Sequence, residues 1–282
     1  MNSPKINIIY IASSAHSGST LLDLMLGSHS EIHSGGEFYK LPLKMRTDGG
    51  KLHDCSCGKK VIECDFWARA AEKANTNIEE IQSSRDFFSM YERLIPAILA
   101  VSGKTYFVDS SKSLLRLKKY LESEQCQVAI IHLVRDPRAV AYSFVRKSMR
   151  MAGKNRRGFS KDNLILYFHT LWRVLRGNLQ KNKSLSNQKV YHTIRYEELI
   201  AHPKQTLTGF LERLKLPFEE TMIEYYDQTH HIVGGNHMRF QKKPLMTDRE
   251  YTQKLSLFVW ITGTFICLPL ILKYHYPLFR LN

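Results

Sequence analysis

Two runs of residues constrain the fold more than anything else in the chain. INIIYIA (6–12) and QVAIIHLV (127–134) are almost continuously apolar. A strand with one wet face alternates apolar and polar side chains. A strand apolar throughout needs cover on both faces, as inside a parallel sheet. Each run breaks abruptly into turn-forming sequence, SSAHSG after the first and RDP after the second. Three shorter segments, 32–35, 105–109 and 189–195, read as further strands.

Helical patterns fall between the strands, over 20–27, 84–101, 137–149, 163–180 and 204–214. The third opens on Asp136-Pro137, a good cap and first-turn pair. In the fourth, Leu164, Phe168, Leu171, Trp172, Leu175 and Leu179 make one helical stripe, as do Leu207, Phe210, Leu211 and Leu214 in the fifth. The alternation predicts an α/β fold: a single domain with a central parallel sheet of about five strands flanked by helices. Ligands of such sheets sit at the carboxyl ends of strands, and the unusual residues of this chain lie there.

Composition narrows the function classes. The chain has 282 residues, 43% hydrophobic and 24% charged, which excludes a disordered chain or a disulfide-stapled mini-domain. The formal charge, 41 − 26 = +15, calls for an anionic partner: a nucleotide, an acidic glycan, a membrane surface or nucleic acid. Residues 146–183 carry eleven Lys/Arg against Asp162 alone, +10 of that total. Within them RKSMRMAGKNRRGFSK (146–161) reads as a basic loop between two helices, either simply solvated or drawn to an anionic acceptor or membrane. No recognised nucleic-acid-binding module is present, so nucleic acid is not expected as a partner.

The five cysteines are too few for a secreted disulfide framework. Cys55, Cys57 and Cys64 cluster in CSCGKKVIEC, which fits a metal knuckle, a disulfide or three buried thiols. Zinc wants four ligands, the C-x-C-x6-C spacing is not a standard zinc pattern, and His53 is the nearby fourth candidate. No metal site is assigned on this basis. The N-terminus has no signal-peptide pattern and leads directly into the first strand. The expected location is the cytoplasm.

At the other end, LSLFVWITGTFICLPLIL (255–272) carries no charge over 18 residues. As one helix it would reach roughly 27 Å, marginal for a hydrocarbon core of about 30 Å, and Pro269 would shorten it. Residues 1–254 therefore read as the α/β domain, and 255–282 as a C-terminal helical segment packed on it or lying peripherally on a membrane.

Two strand ends carry chemistry. SSAHSGST (13–20) is a small-residue turn from strand to helix, which aims backbone N–H groups and the hydroxyls of Ser17, Ser19 and Thr20 at an anion. It lacks the Gly-Lys pair of an ATP-type loop. At the end of 127–134 stands Arg135, with Ser143 two turns into the following helix. A guanidinium there suits a terminal phosphate, although pairing of Arg135 with Asp136 is the structural alternative.

Taken together, SGST after strand one and V-R-D-P-R-x-x-x-x-S downstream resemble the sulfotransferase family, whose P-loop-like fold uses 3′-phosphoadenylyl sulfate (PAPS). The similarity extends through GGE (35–37), DSSK (109–112), RYEEL (195–199), GGNHMRF (234–240) and, for a bacterial-type subgroup, CSCG…C-x-F-W and the tail ending in KYHYP. The resemblance implies that Ser17, Gly18, Ser19 and Thr20 hold the 5′-phosphosulfate, and that Arg135 and Ser143 hold the 3′-phosphate. It places Tyr196 near the adenine and Arg239 toward the 3′-phosphate.

By the same resemblance Glu37 is the general base and Lys112 the cation at the transferred group, with Asp109 the alternative partner that would make Lys112 structural. His16 stands where many members have Lys or Arg, so the leaving-group acid is either His16 or Lys112. The implied function is sulfuryl transfer from PAPS to a hydroxyl or amine, releasing adenosine 3′,5′-bisphosphate, with no metal required. The acceptor stays open among anionic glycans, lipids and small molecules. The rival readings are an ATP-using kinase of P-loop type and a non-catalytic, membrane-peripheral nucleotide-binding protein.

Overall fold

A computed structural model describes residues 5–42, 54–84, 87–151, 160–241 and 249–280. The strands are β1 (Ile6–Ser13), β2 (Ile32–Ser34), β3 (Tyr106–Asp109), β4 (Cys126–Val134) and β5 (Tyr191–Arg195). The helices begin with α1 (Ser19–Gly27), α2 (Asp65–Lys73), α3 (Ile78–Ser83), α4 (Phe87–Ser102) and α5 (Leu114–Glu122). Then come α6 (Pro137–Met151), α7 (Lys161–Leu185), α8 (Tyr196–Ala201) and α9 (Pro203–Leu214). The tail forms α10 (Glu250–Lys254), α11 (Leu257–Ile266) and α12 (Leu268–Lys273).

The five strands make one all-parallel sheet in the order β2-β3-β1-β4-β5. Ile8 pairs in register with Phe107, and His33 with the same residue from the other side. The expected α/β architecture is thus present. The order reverses between β1 and β4, the position at which sheets of this kind open a crevice at their carboxyl ends.

By contacts the chain divides into two compact units: residues 1–12, 19–131 and 203–245, and residues 13–18, 132–202 and 246–282. In the first, Ile8, Ile9 and Ile11 of β1 and the whole of α1 are buried. Phe38 stacks on Tyr91 at 5.0 Å and meets Phe107 edge-on at 4.8 Å. The Tyr10 hydroxyl donates to Ser113 O at 2.8 Å, so this buried phenol is satisfied.

In the second unit, Val134, Val145, Tyr167, Leu171 and Leu175 share a core with Leu255, Val259, Trp260, Leu270 and Ile271 of the tail. The uncharged segment 255–272 is not one helix. Ser256 caps α11, accepting from Val259 N, and the helix stops at Cys267 before Pro269 enters the first turn of α12. Among the described residues no helix is long and apolar enough to cross a membrane. Of the basic stretch 146–161, residues 152–159 lie outside the described residues.

Asp136 caps α6 as its position suggests, accepting from Arg138 N at 2.9 Å. Its carboxylate also forms an ion pair with the Arg138 guanidinium at 2.7 Å, with both side chains fully buried, and accepts from Tyr251 OH at 3.0 Å. Arg138 in turn donates to Thr264 Oγ1 and Pro277 O, each at 2.8 Å, and lies 3.9 Å from the Trp260 ring centroid. Arg138, two residues on in the first turn of α6, reaches the Asp136 carboxylate through both Nε and Nη2. Asp136→Ala strands a buried guanidinium. It should cost about 3–5 kcal/mol in urea unfolding, whereas Arg138→Met with Asp136→Asn should cost clearly less than Asp136→Ala alone.

Candidate active site

The second unit holds the turn after β1 and the groups after β4. His16 adopts φ 66° and Gly18 φ 94°, so two residues of this turn lie in the left-handed region. At Gly18 the glycine is needed twice over, since a Cβ would come within 2.4 Å of the Tyr196 ring. Arg135, only 8% exposed, donates from Nη1 to His16 O at 3.1 Å, and its guanidinium lies 4.3 Å from the Tyr196 centroid. Ser143 Oγ meets His16 Nδ1 at 3.2 Å, and the imidazole stands edge-on to Phe144. The structure therefore gathers His16, Gly18, Arg135, Ser143 and Tyr196 into one cluster, with Ser17 buried beside them in the turn.

Glu197, which the sequence reading passed over, fixes this cluster from behind. Its Oε1 accepts from Asp136 N at 3.0 Å, and burial raises its pKa. The signal was present in the EE pair that follows Tyr196, but nothing in sequence tells which of the two carboxylates turns inward.

The first unit holds the second group. Lys112, at φ 67°, places Nζ 2.5 Å from Glu37 Oε1, and Lys40 pairs with the other carboxylate oxygen. Partial burial acts to raise the Glu37 pKa, but the two ammonium groups outweigh it and hold the carboxyl below its ordinary value. The alternative pairing of Lys112 with Asp109 does not occur. Asp109 Oδ1 accepts from Ser111 N at 2.8 Å and Oδ2 from Tyr120 OH at 3.0 Å, while burial pushes its pKa up to about 6.

Asp23 of α1 is a further buried carboxyl missed in sequence. Burial pushes its pKa up to about 8, opposed by Ser34 and Lys112 and reinforced by Asp109. A lone acid within an apolar helix stripe carries no sequence signal of that kind.

Thr20, buried in the first turn of α1 beside Ser19, accepts from Asn236 N at 3.1 Å. That contact uses an oxygen lone pair and leaves the O–H proton unspent on it. Arg239, from the same GGNHMRF segment, donates to the carbonyls of Gly234 and Asp54 and stacks on Phe240 at 4.5 Å. Its guanidinium is thus engaged with backbone of the first unit.

A strand-to-helix turn rich in N–H and hydroxyl donors, and an arginine and serine after the neighbouring strand, mark the carboxyl end of this α/β sheet as a candidate anion site. The chain belongs to the sulfotransferase family, whose model matches residues 9–220. Its fold is similar to the sulfotransferase domain from the curacin biosynthetic pathway, with TM-score 0.62 and 23% identity, covering 98% of this chain and 99% of that one. It is also similar to the sulfotransferase domain of the Synechococcus PCC 7002 olefin synthase, with TM-score 0.53 and 21% identity over 98% and 97% of the two chains.

The Lys112–Glu37 pair predicts a pH signature. The Glu37 pKa is depressed on folding, so its stabilising contribution is complete above the unfolded carboxyl pKa of about 4.3 and is lost as pH falls through the lower folded value. Lys112→Met should cost roughly 1.5–3 kcal/mol at neutral pH, and the gap from the wild type should narrow toward pH about 2–3. Urea unfolding at both pH values checks this; a gap independent of pH would remove the pair from the stability of the fold.

Proposed function

We propose that this chain transfers a sulfuryl group from PAPS to a hydroxyl or amine of its acceptor. The observation that carries the reading is the cluster about Gly18, where Arg135, Ser143 and Tyr196 converge on the turn after β1. The donor set fits a doubly phosphorylated nucleotide. It offers a guanidinium, hydroxyls and turn N–H groups, and the missing side chain at Gly18 lets the Tyr196 ring pack directly on the turn. PAPS supplies an activated sulfuryl group whose bond to the 5′-phosphate oxygen breaks as the acceptor attacks.

The chain's own residues then divide the work. Ser17, Gly18, Ser19 and Thr20 bind the 5′-phosphosulfate end through N–H and O–H donors, Thr20 with the proton that Asn236 leaves unspent. Arg135 and Ser143 take the 3′-phosphate, and Tyr196 packs near the base. Arg239 is assigned to the 3′-phosphate only on its place in GGNHMRF. Its contacts with Gly234 and Asp54 give it an equal part in holding that loop.

Glu37 receives the acceptor's proton as the new S–O bond forms. A base works best with a pKa near the operating pH, and the two lysines keep Glu37 below that. Lys112 resolves the conflict if it exchanges Glu37 for the negative oxygens of the donor. That single movement stabilises the leaving phosphate and raises the basicity of Glu37. His16, engaged with Ser143, takes the place of the family's frequent Lys or Arg and donates a hydrogen bond at the leaving oxygen.

A screen with sulfur-labelled PAPS over glycans, lipids, phenols and peptides, with labelled ATP as the control, tests the activity. Label moving from PAPS and none from ATP is the expected result; transfer from ATP alone would make the chain a kinase. Arg135→Ala should weaken adenosine 3′,5′-bisphosphate binding by about 10–100-fold and leave adenosine 5′-phosphate nearly unchanged in calorimetry. Equal losses for both would reassign Arg135 to holding His16 O and the turn. Glu37→Gln should keep the bisphosphate affinity while lowering turnover by about 10²–10⁴-fold; near wild-type turnover moves the base elsewhere.

A further inference from the structure

The geometry points to a structural zinc site formed by Cys55, Cys57, Cys64 and His231. Three of these residues lie within one short segment and the fourth arrives from 167 positions beyond Cys64. All four offer their ligand atoms within 4.8 Å of one another. Cys57 Sγ and Cys64 Sγ are 3.7 Å apart, and His231 Nδ1 lies 3.3 Å from Cys64 Sγ and 3.7 Å from Cys55 Sγ. A tetrahedral zinc with Zn–S of about 2.3 Å and Zn–N of about 2.0–2.1 Å sets S···S near 3.8 Å and S···N near 3.6 Å. Three of the six donor–donor separations are therefore close to the edges of that tetrahedron, and the others lie within 4.8 Å. His53, the fourth ligand considered from sequence, lies outside the described residues, and His231 takes the position.

The backbone is built for ligation. Cys55 N donates to Lys59 O at 2.8 Å and Gly58 N to Cys55 O at 3.0 Å, with Gly58 at φ 92°, so the CSCG turn folds both thiols to one side. His231 is held on the opposite wall. Ser56 Oγ donates to His230 O at 2.5 Å and accepts from Ile232 N at 2.8 Å, while Phe66 stacks flat on the imidazole at 4.5 Å and 7°. Such contacts fix ring orientation in the way outer-sphere partners of metal-bound histidines do. Cys55 and Cys64 are almost fully buried, and none of the five cysteines is disulfide-bonded. A Cys57–Cys64 disulfide would leave Cys55 and an aimed imidazole without purpose. Three sulfurs and one nitrogen in a tetrahedron select zinc among the common divalent ions.

The site staples the segment carrying α2 to the loop that follows His231. That loop bridges Gly36 through Val233, passes Gly234 close behind Glu37, and reaches Thr20 through Asn236 N. Zinc here would stiffen the backbone under Glu37 and Thr20 without touching substrate.

The test reads metal, not sulfuryl transfer, so it is independent of the proposed activity. The full chain, purified under reducing conditions without chelator, should contain about one zinc per molecule by elemental analysis. Cobalt reconstituted into the same protein should give the intense visible bands of a tetrahedral sulfur-ligated ion. Cys64→Ser and His231→Ala should lose more than about 100-fold in zinc affinity, with Cys126→Ser unchanged. Should those variants fail to fold, the cobalt spectrum of the wild-type chain decides alone. Metal-free protein that takes up no cobalt, or a Cys57–Cys64 disulfide found by mass spectrometry in protein isolated without reductant, overturns the site.

Discussion

The buried ion pair of Asp136 and Arg138 sets the arrangement of everything near the end of β4. Two opposite charges with no exposure pay a heavy desolvation cost and persist only when every remaining donor and acceptor is satisfied. Here Tyr251 completes the carboxylate, while Thr264, Pro277 and the Trp260 face complete the guanidinium. All four of those partners lie in the tail, Tyr251 in α10, Trp260 and Thr264 in α11 and Pro277 beyond α12. The tail is thereby tied to the start of α6 by polar contacts as well as by its apolar face. Arg135, the sequence neighbour of Asp136, donates to His16 O and lies over the Tyr196 ring.

The strands were legible in the sequence because burial on both faces leaves few polar residues within the central ones, and β1 and β4 match their apolar runs almost residue for residue. Several short helices were not legible, α2 and α5 among them. In α5, Leu117 and Tyr120 face inward while Leu115 is 78% exposed, so its apolar residues do not keep to one face. In α2 the buried residues Phe66, Trp67, Ala70 and Ala71 make a proper stripe, but the segment begins at the cysteine cluster and reads as motif before it reads as helix. The site residues were legible by position, since strand ends deliver them. Their partners were not. Whether Lys112 finds Asp109 three residues back or Glu37 seventy-five residues away depends on the left-handed turn at Lys112 and on Ser111 and Tyr120 occupying Asp109. His231 beside Cys64 is the same lesson at greater sequence distance.

The tail shows how hydropathy misleads when read without position. Its 18 uncharged residues look like a span, yet the inward face of Val259, Trp260, Leu270 and Ile271 is matched to a protein core. The opposite face leaves Leu257, Phe258 and Phe265 more than 60% exposed. Scattered exposed apolar residues are ordinary, but these three lie on a single short helix and make a contiguous apolar surface on the second unit.

The same economy of contacts governs the proposed chemistry. At about 4 Å two unit charges interact by roughly 4 kcal/mol at the effective dielectric near a protein surface, enough to displace a carboxylate's pKa by units. Glu37 between Lys112 and Lys40 is accordingly a stable anion and a poor base, which suits a resting enzyme and not a reacting one. Any anion that draws Lys112 away removes one of those two charges and returns basicity to Glu37 at the moment a negative group arrives. Binding of the donor and activation of the acceptor become linked through one ammonium group. Lys40, which stays with Glu37 in the same short turn, keeps the carboxylate oriented while that exchange takes place.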